Sequence, residues 1–378
     1  MGTSSSSRSV SVTKKTTKTR TEPILSRPIV LGIETSCDDT ACAVVDGRGR
    51  ILASVVSSQL AAHRPYGGVV PEIASREHLS NWPLVSRQTL EKAGLTLQQV
   101  DAVAATRGPG LMGSLLVGLS LGKSMAYALG KPFHGVHHLE GHVFSPFLNS
   151  EDESAREAPE SFLALVVSGG HTSLLSVAGA QVTSLAETRD DAMGEVFDKV
   201  GKRLGLAYPQ GPLVDELAEL GDPTRHPLPV ASTKESLDFS YSGLKTQTMV
   251  EIEALERAGV DVAYDPEREL PFASPVLDLL AGFRFAAVEQ ILRRLRRLHR
   301  RQPIGLLAVS GGAAANRLLR RKLSGWAQET GIDLRLVPLS YAGDNAAMIA
   351  HAALLRQRRG VTDDPMSTEA ESRIPFAG

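Results

Sequence analysis

The segment His138-Leu139-Glu140-Gly141-His142 sets two imidazoles four positions apart, on one face of a helical turn. That spacing lets both rings ligate one Fe2+ or Zn2+, with carboxylate or substrate oxygens filling the remaining positions. An arbitrary pair at this spacing is more often two ordinary histidines, so the pair needs support from elsewhere in the chain. A zinc protease would carry its glutamate directly after the first histidine, as general base. Here Glu140 stands one place later, about 100° further round the helix. The spacing disfavours proteolysis. A third ligand must come from a distant segment, and Asp344 in Ala342-Gly343-Asp344-Asn345-Ala346-Ala347-Met348 offers one, at a position that also suits N-capping of the last helix.

Three turns have the composition of a phosphate or nucleotide site. Glu34-Thr35-Ser36-Cys37-Asp38-Asp39-Thr40 combines hydroxyls with three acids between two strand-like runs. Glu34, Asp38 and Asp39 are the candidates to accept a proton or orient a reacting group. Val167-Ser168-Gly169-Gly170-His171-Thr172 has paired glycines that let a ligand approach the backbone. Ser310-Gly311-Gly312-Ala313-Ala314-Ala315-Asn316 leads into a helix whose N-terminus can face an anion. Gly122-Lys123-Ser124 looks like the end of a Walker A loop. The glycine that loop requires five residues upstream is Val117, and the stretch reads as helix interior.

The elements that must position these groups follow from periodicity. Residues 29–35, 41–45 and 51–57 read as antiparallel strands, with Asp46-Gly47-Arg48-Gly49 turning the last two. A helix over 71–94 ends at a glycine, then come a strand over 101–106, a buried small-residue helix over 111–129 and a strand over 133–136. The second half opens with strands over 162–168 and 172–177. Helices follow over 192–204, 213–220, 244–255 and 277–301, and alternation closes the chain: strand 304–310, helix 316–329, strand 334–339, helix 345–357. Each half opens with paired strands and finishes in strand–helix alternation. That duplication predicts an α/β, actin-like ATPase architecture of two lobes around a central cleft. The expected lobes are residues 28–150 and 151–361, the latter with a helical insertion.

Composition narrows the class. The 378 residues are 42% hydrophobic and 22% charged, as in globular proteins, and the formal net charge of −1 argues against a generally basic nucleic-acid binder. Cys37 and Cys42 are the only cysteines, which excludes a disulfide framework and fits a reducing, cytoplasmic setting. No uninterrupted apolar run reaches the ~18 residues of a membrane helix. Residues 1–27 are Ser/Thr-rich and basic and are expected to be disordered, with organellar import as the second reading of that tail. Residues 362–378 are expected to be a flexible acidic end. Arg293, Arg294, Arg296, Arg297, Arg300 and Arg301 form a dense stripe able to meet nucleic-acid phosphates, or else a solvated helix face.

Taken together, Gly32 to Thr40 (GIETSCDDT), Gly68 to Arg76 (GVVPEIASR), His138 to His142, Val167 to Thr172 (VSGGHT), Phe239 to Thr246 (FSYSGLKT) and Gly343 to Met348 resemble the TsaD family. These are the tRNA N6-adenosine threonylcarbamoyltransferases, once misnamed sialoglycoprotein endopeptidases. The likeness runs over roughly residues 28–358 in the family's order, and the His-x-Glu-Gly-His form is similar to the bacterial and organellar branch.

The resemblance implies transfer of a threonylcarbamoyl group from threonylcarbamoyl-AMP to N6 of adenosine 37 in tRNAs reading ANN codons, with release of AMP. It implies one divalent metal, Fe2+ before Zn2+, on His138, His142 and Asp344. The adenylate, or ATP or ADP, would be held by Val166, Val167, Ser168, Gly169 and Gly170, with Asp198, Gly211, Asp215 and Asn316. Gln210 departs from the family's usual glycine before Gly211. Partners implied are tRNA, a TsaB-like paralogue and a TsaE-like ATPase in the bacterial case, or a homodimer in the organellar one. The small-residue helix from Gly110 to Leu129 is a candidate packing face for such a partner. An actin-like small-molecule kinase or O-carbamoyltransferase would share the glycine turns but has no need of the histidine pair.

Overall fold

The computed structural model describes residues 27–148, 158–179, 181–231 and 236–376; the tail expected over 1–27 lies outside them except for Arg27. The first lobe runs β1 (Val30–Glu34), β2 (Asp39–Val45), β3 (Ile51–Ser58), α1 (Leu60–His63), α2 (Pro71–Ala93), β4 (Ala102–Gly108), α3 (Met112–Leu129), β5 (Phe133–His137) and α4 (His138–Phe144). The second runs β6 (Ser161–Val167), β7 (Thr172–Ala178), β8 (Gln181–Glu187), α5 (Met193–Arg203), α6 (Gln210–Leu217), α7 (Ser242–Arg257), α8 (Ser274–Arg301), β9 (Leu306–Ser310), α9 (Arg317–Thr330) and β10 (Asp333–Leu336), before the final helix α10 (Ala346–Arg358).

The duplication expected from the pattern is explicit in the strand order. The sheets run β3-β2-β1-β4-β5 and β8-β7-β6-β9-β10. In each, the first three strands pair antiparallel, and the last two join the central strand in parallel. Parallel strands need crossover connections, and α3 and α9 supply the equivalent ones in the two lobes. Strand β8 escaped the sequence reading because only Val182 and Ala186 of its seven residues are buried. It is an edge strand with a polar outer face, so its apolar alternation is weak.

Three placements differ from expectation. Helix α10 belongs by sequence to the second half, yet it packs on the first sheet: Ala346, Ala347, Ala350 and Ala353 sit in one cluster with Val30, Ala41, Ala43 and Ala104. Gly32 of β1 makes this approach feasible, because a Cβ there would lie 2.4 Å from the Ala346 carbonyl oxygen. The acidic end is not free either. Asp363 bridges to Phe133, its carboxylate accepts the Gly135 N–H at 2.9 Å and pairs with Arg356, and the Glu371 N–H donates to the Arg107 carbonyl. Backbone carbonyls at the ends of parallel strands hold it there. Finally, α3 is buried on one face only: Ser114, Leu115, Gly118, Leu119, Gly122 and Ala126 pack inward, while Met112, Leu116 and Tyr127 are exposed.

The core also stores acid sensitivity. His134 on β5 and His351 on α10 are buried, and no ring nitrogen of either has a partner among the described residues. Burial pushes both pKa values down to about 4. The unfolded chain, near 6.5, binds protons that the folded one refuses, so stability falls as pH drops from about 6.5 toward 4. Urea unfolding at pH 7 and pH 5 should differ by about 2 kcal/mol for each of these two histidines, and replacing either with Phe should shrink the difference.

Candidate metal centre and interlobe cleft

Strand β5 delivers its last residue, His137, as the N-cap of α4: its Nδ1 accepts the Leu139 N–H at 3.1 Å. The chain therefore enters the helix with His138 and His142 on one inward face, their rings 4.8 Å apart and perpendicular. Across from them stands Asp344. Its Oδ1 lies 3.5 Å from His138 Nε2 and 3.2 Å from His142 Nε2. One ligand atom from each of the three lies within 4.8 Å of the others. Asp344 is free for this because the capping role expected of it falls to Asn345, whose side chain accepts the Met348 N–H. The site thus joins the strand–helix junction of the first lobe to the segment leading into α10.

The donor set fits a divalent cation. Two imidazole nitrogens and a carboxylate oxygen converge on one point, and the two His side chains are nearly sealed from solvent. The surroundings demand positive charge. Burial alone would lower the His138 pKa, but Asp344 and Glu34 together push it up to about 9. Burial would likewise raise Asp344, yet His138 and His142 hold it well below the usual carboxylate range.

Glu34, read from sequence as a possible proton acceptor, is occupied otherwise. It is fully buried; Oε2 accepts the Thr106 hydroxyl at 2.6 Å and faces His138 Nδ1 at 3.2 Å, while Oε1 accepts the Ser36 N–H. Burial works to raise its pKa and the contact with His138 lowers it. A carboxylate on the far nitrogen of a ligating imidazole fixes its tautomer and orientation. Glu34→Gln should therefore weaken metal affinity about 10–100-fold without changing the ligands, as read by competition with a chelator.

Asp38 and Asp39, by contrast, line a cleft of about 500 Å³ between the lobes. Asp38 Oδ2 accepts the Tyr208 hydroxyl from the second lobe at 3.3 Å. Burial chiefly, with Asp38 and Asp344 nearby, pushes Asp39 up to about 7 against a hydrogen bond from Ser58. The opposite wall contains Gly169, Asp198, Gly211, Asp215, Gly312 and Asn316, and Gly343 beside Asp344 also lines the space. Val166 and Val167 are fully buried in β6 and place the Ser168–Gly170 turn rather than facing the cleft. Ser168 Oγ accepts the His171 N–H within that turn.

Two acids of this wall hold backbone. Asp198 Oδ1 accepts the Gly211 N–H at 2.8 Å, so the turn keeps its form with Gln210 buried at the start of α6. Asp215 accepts from Asn316 Nδ2 at 2.7 Å and from the Arg317 N–H at 3.0 Å, anchoring the N-terminus of α9. Gly311 precedes it at φ 93°, and a Cβ there would meet the Val167 carbonyl oxygen at 2.3 Å. Only glycine serves both demands. Sequence reasoning missed Ser36, Thr106, Tyr208 and His171. The last lowers the Asp344 pKa from the VSGGHT turn, and burial holds its own near 4.

The protease and P-loop readings, already disfavoured by the sequence, gain no support from the positions of Glu140 and Lys123. Glu140 turns toward Arg356, 3.4 Å away, and Lys123 lies inside α3 with its Nζ on the Thr368 carbonyl. The arginine stripe of α8 is also largely spent. Arg294 is buried and donates to the Asp238 and Ala231 carbonyls, Arg297 donates to Ser236, and Arg296 pairs with Glu289.

Fold and site together define a two-lobed protein of the actin-like ATPase class with a His2Asp cluster able to hold a metal beside the interlobe cleft. A family profile, TsaD, tRNA N6-adenosine threonylcarbamoyltransferase, matches residues 50–351, and the chain belongs to that family. A relative of that name from Symbiobacterium thermophilum is 45% identical over 343 residues, which span 90% of this chain and 95% of the relative. Among solved structures, HypF of T. kodakarensis aligns at TM-score 0.57 and 14% identity, over 89% of this chain and 48% of its own. Component A of the (R)-2-hydroxyglutaryl-CoA dehydratase of Acidaminococcus fermentans aligns at 0.50 and 14%, over 88% and 99%. At such identities the likeness concerns fold.

Proposed function

We propose that this chain transfers the threonylcarbamoyl group from threonylcarbamoyl-AMP to N6 of adenosine 37 in tRNAs reading ANN codons, releasing AMP. The observation that carries the reading is the meeting of a His2Asp cluster with a glycine-walled cleft that has room for a nucleotide. The substrate is a mixed anhydride, so the enzyme must chiefly position the amine and stabilise developing charge. The N6 nitrogen attacks the carbamoyl carbon, the bond to the phosphate oxygen breaks, and AMP leaves with that electron pair. A cation on His138, His142 and Asp344, when bound, would supply Lewis-acid stabilisation to substrate oxygens. The turns at Ser168–Gly170, Gly211 and Gly311–Asn316 cradle the adenylate, with Asp198 and Asp215 holding their backbone in place.

Of the three acids in the first turn, Asp39 is the proton acceptor. It lines the cleft, and its pKa near 7 suits exchange of a proton at neutral pH, whereas Glu34 is sealed behind His138. Asp39→Asn should lower kcat about 10²–10⁴-fold while metal content stays at one ion per chain, measured by single-turnover assays and metal analysis.

Fe2+ is the proposed resident ion, with Zn2+ its competitor for the same donors. The exposed apolar side chains of α2 and α3, Leu79, Leu84, Met112, Leu116 and Tyr127, are the proposed seat of a TsaB-like partner or a second copy in a cytoplasmic enzyme. A TsaE-like ATPase completes the bacterial set. Exposed Arg300 and Arg301 at the end of α8 remain for tRNA phosphate. The deciding experiment incubates the chain with threonylcarbamoyl-AMP and unmodified tRNA, with and without both partners, and analyses nucleosides by mass. Absence of modified adenosine under every condition would refute the reading.

A further inference from the structure

Beneath the acidic turn lies a buried polar network that the reaction chemistry does not use. His63, Gln59, His78 and Thr40 are all sealed from solvent. His78 Nε2 lies 3.0 Å from the Cys37 carbonyl oxygen, and its Nδ1 lies 2.8 Å from Thr40 Oγ1 and 3.1 Å from Gln59 Nε2. A carbonyl can only accept, so Nε2 carries the proton and Nδ1 accepts. Gln59 Nε2 also donates to the Ala74 carbonyl, its Oε1 faces His63 Nε2 at 3.1 Å, and its backbone N–H donates to the Asp38 carbonyl at 3.0 Å. His63 Nδ1 then accepts the Val70 N–H at 3.3 Å.

Both ends of this network meet the second lobe. At one end, Asp38 takes the Tyr208 hydroxyl. At the other, the Gly67 carbonyl accepts Lys202 Nζ of α5 at 3.2 Å. We infer that His78 and Gln59 are positioning residues for the transfer: they lock the Cys37-Asp38-Asp39 turn to the 63–74 segment, so the first lobe presents its acids to the cleft as one rigid edge. The inference rests on the proposed transfer for its consequence, though not for its geometry. Neither side chain lines the cleft, so neither touches substrate.

The test compares His78→Leu with His78→Gln in the full chain. Gln places an amide nitrogen near the position of Nε2 and keeps the donor to Cys37, whereas Leu keeps bulk alone. His78→Leu is expected to speed amide hydrogen exchange in peptides spanning 36–40, leave exchange in α4 and metal content unchanged, and lower kcat about 10–100-fold with KM for threonylcarbamoyl-AMP within about twofold. His78→Gln is expected to restore most of both the protection and kcat. Unchanged exchange at 36–40 in the Leu variant would overturn the inference, and so would equal losses in the two variants that simply follow the folded fraction. If the wild-type chain modifies no tRNA, the exchange comparison still decides the positioning role.

Discussion

Replacing His138 and His142 together with Ala should abolish metal binding and lower threonylcarbamoyl transfer about a thousandfold, while affinity for tRNA should stay near that of the parent. The loss follows from what converges on Asp344. Both Nε2 atoms reach its Oδ1, at 3.5 and 3.2 Å, and removing the two rings leaves one carboxylate that cannot retain a divalent ion. Lewis-acid stabilisation is worth several kcal/mol in the transition state, and about 4 kcal/mol corresponds to a thousandfold in rate. Metal analysis and nucleoside mass measurement read the two effects separately. Loss of metal with an undiminished rate would make the centre structural and remove its place in the chemistry. The tRNA measurement matters because a grossly unfolded variant would lose that affinity too.

The second large effect concerns stability. Arg284 of α8 is buried at 5% exposure; it donates to the Asp215 carboxylate at 3.2 Å and to the Asp215 and Ala218 carbonyls at 2.8 and 3.1 Å, and it contacts Glu219. It closes the C-terminal end of α6 and neutralises the acid that anchors α9. Arg284→Leu leaves the Asp215 carboxylate enclosed without its counter-charge, and breaking a buried pair from one side costs about 3–5 kcal/mol. Urea unfolding should show that loss, with nucleotide affinity falling as well, because Asp215 orients Asn316 and the Arg317 N–H at the cleft. A change below about 1 kcal/mol would mean the hydrogen bonds from Asn316 and Arg317 suffice to satisfy Asp215. Arg284→Lys should fall between, since an ammonium lacks the planar fork that reaches two carbonyls and a carboxylate.

Much of the frame was readable before any fold was known. Helix α2 stops at Gly94, which adopts φ 67° as a left-handed cap, because the composition of that turn admits little else. The strands at 30–34, 39–45 and 51–58 announce themselves by β-branched and small apolar runs separated by turn residues. The i,i+4 spacing of His138 and His142 required only helical geometry to become a ligand pair. These features are local: each depends on residues within a turn or two of one another.

What only the tertiary structure decided is non-local. Three acids stand within six positions of sequence, yet Glu34 points behind His138 while Asp38 and Asp39 face the cleft, because β1 ends between them and the chain reverses into β2. The arginines of α8 read as a free positive stripe, but burial turns Arg294 toward carbonyls of the segment that leads into α7. Helix α10 follows the second sheet in the chain and packs on the first, since small residues on both surfaces permit contact there. That crossover brings Asp344 to the histidines. By itself the sequence determined which donors this protein owns and the helical spacing of two of them. The fold decided which face one another, because a ligand sphere is built from distances between segments some two hundred residues apart, and periodicity carries no information about those.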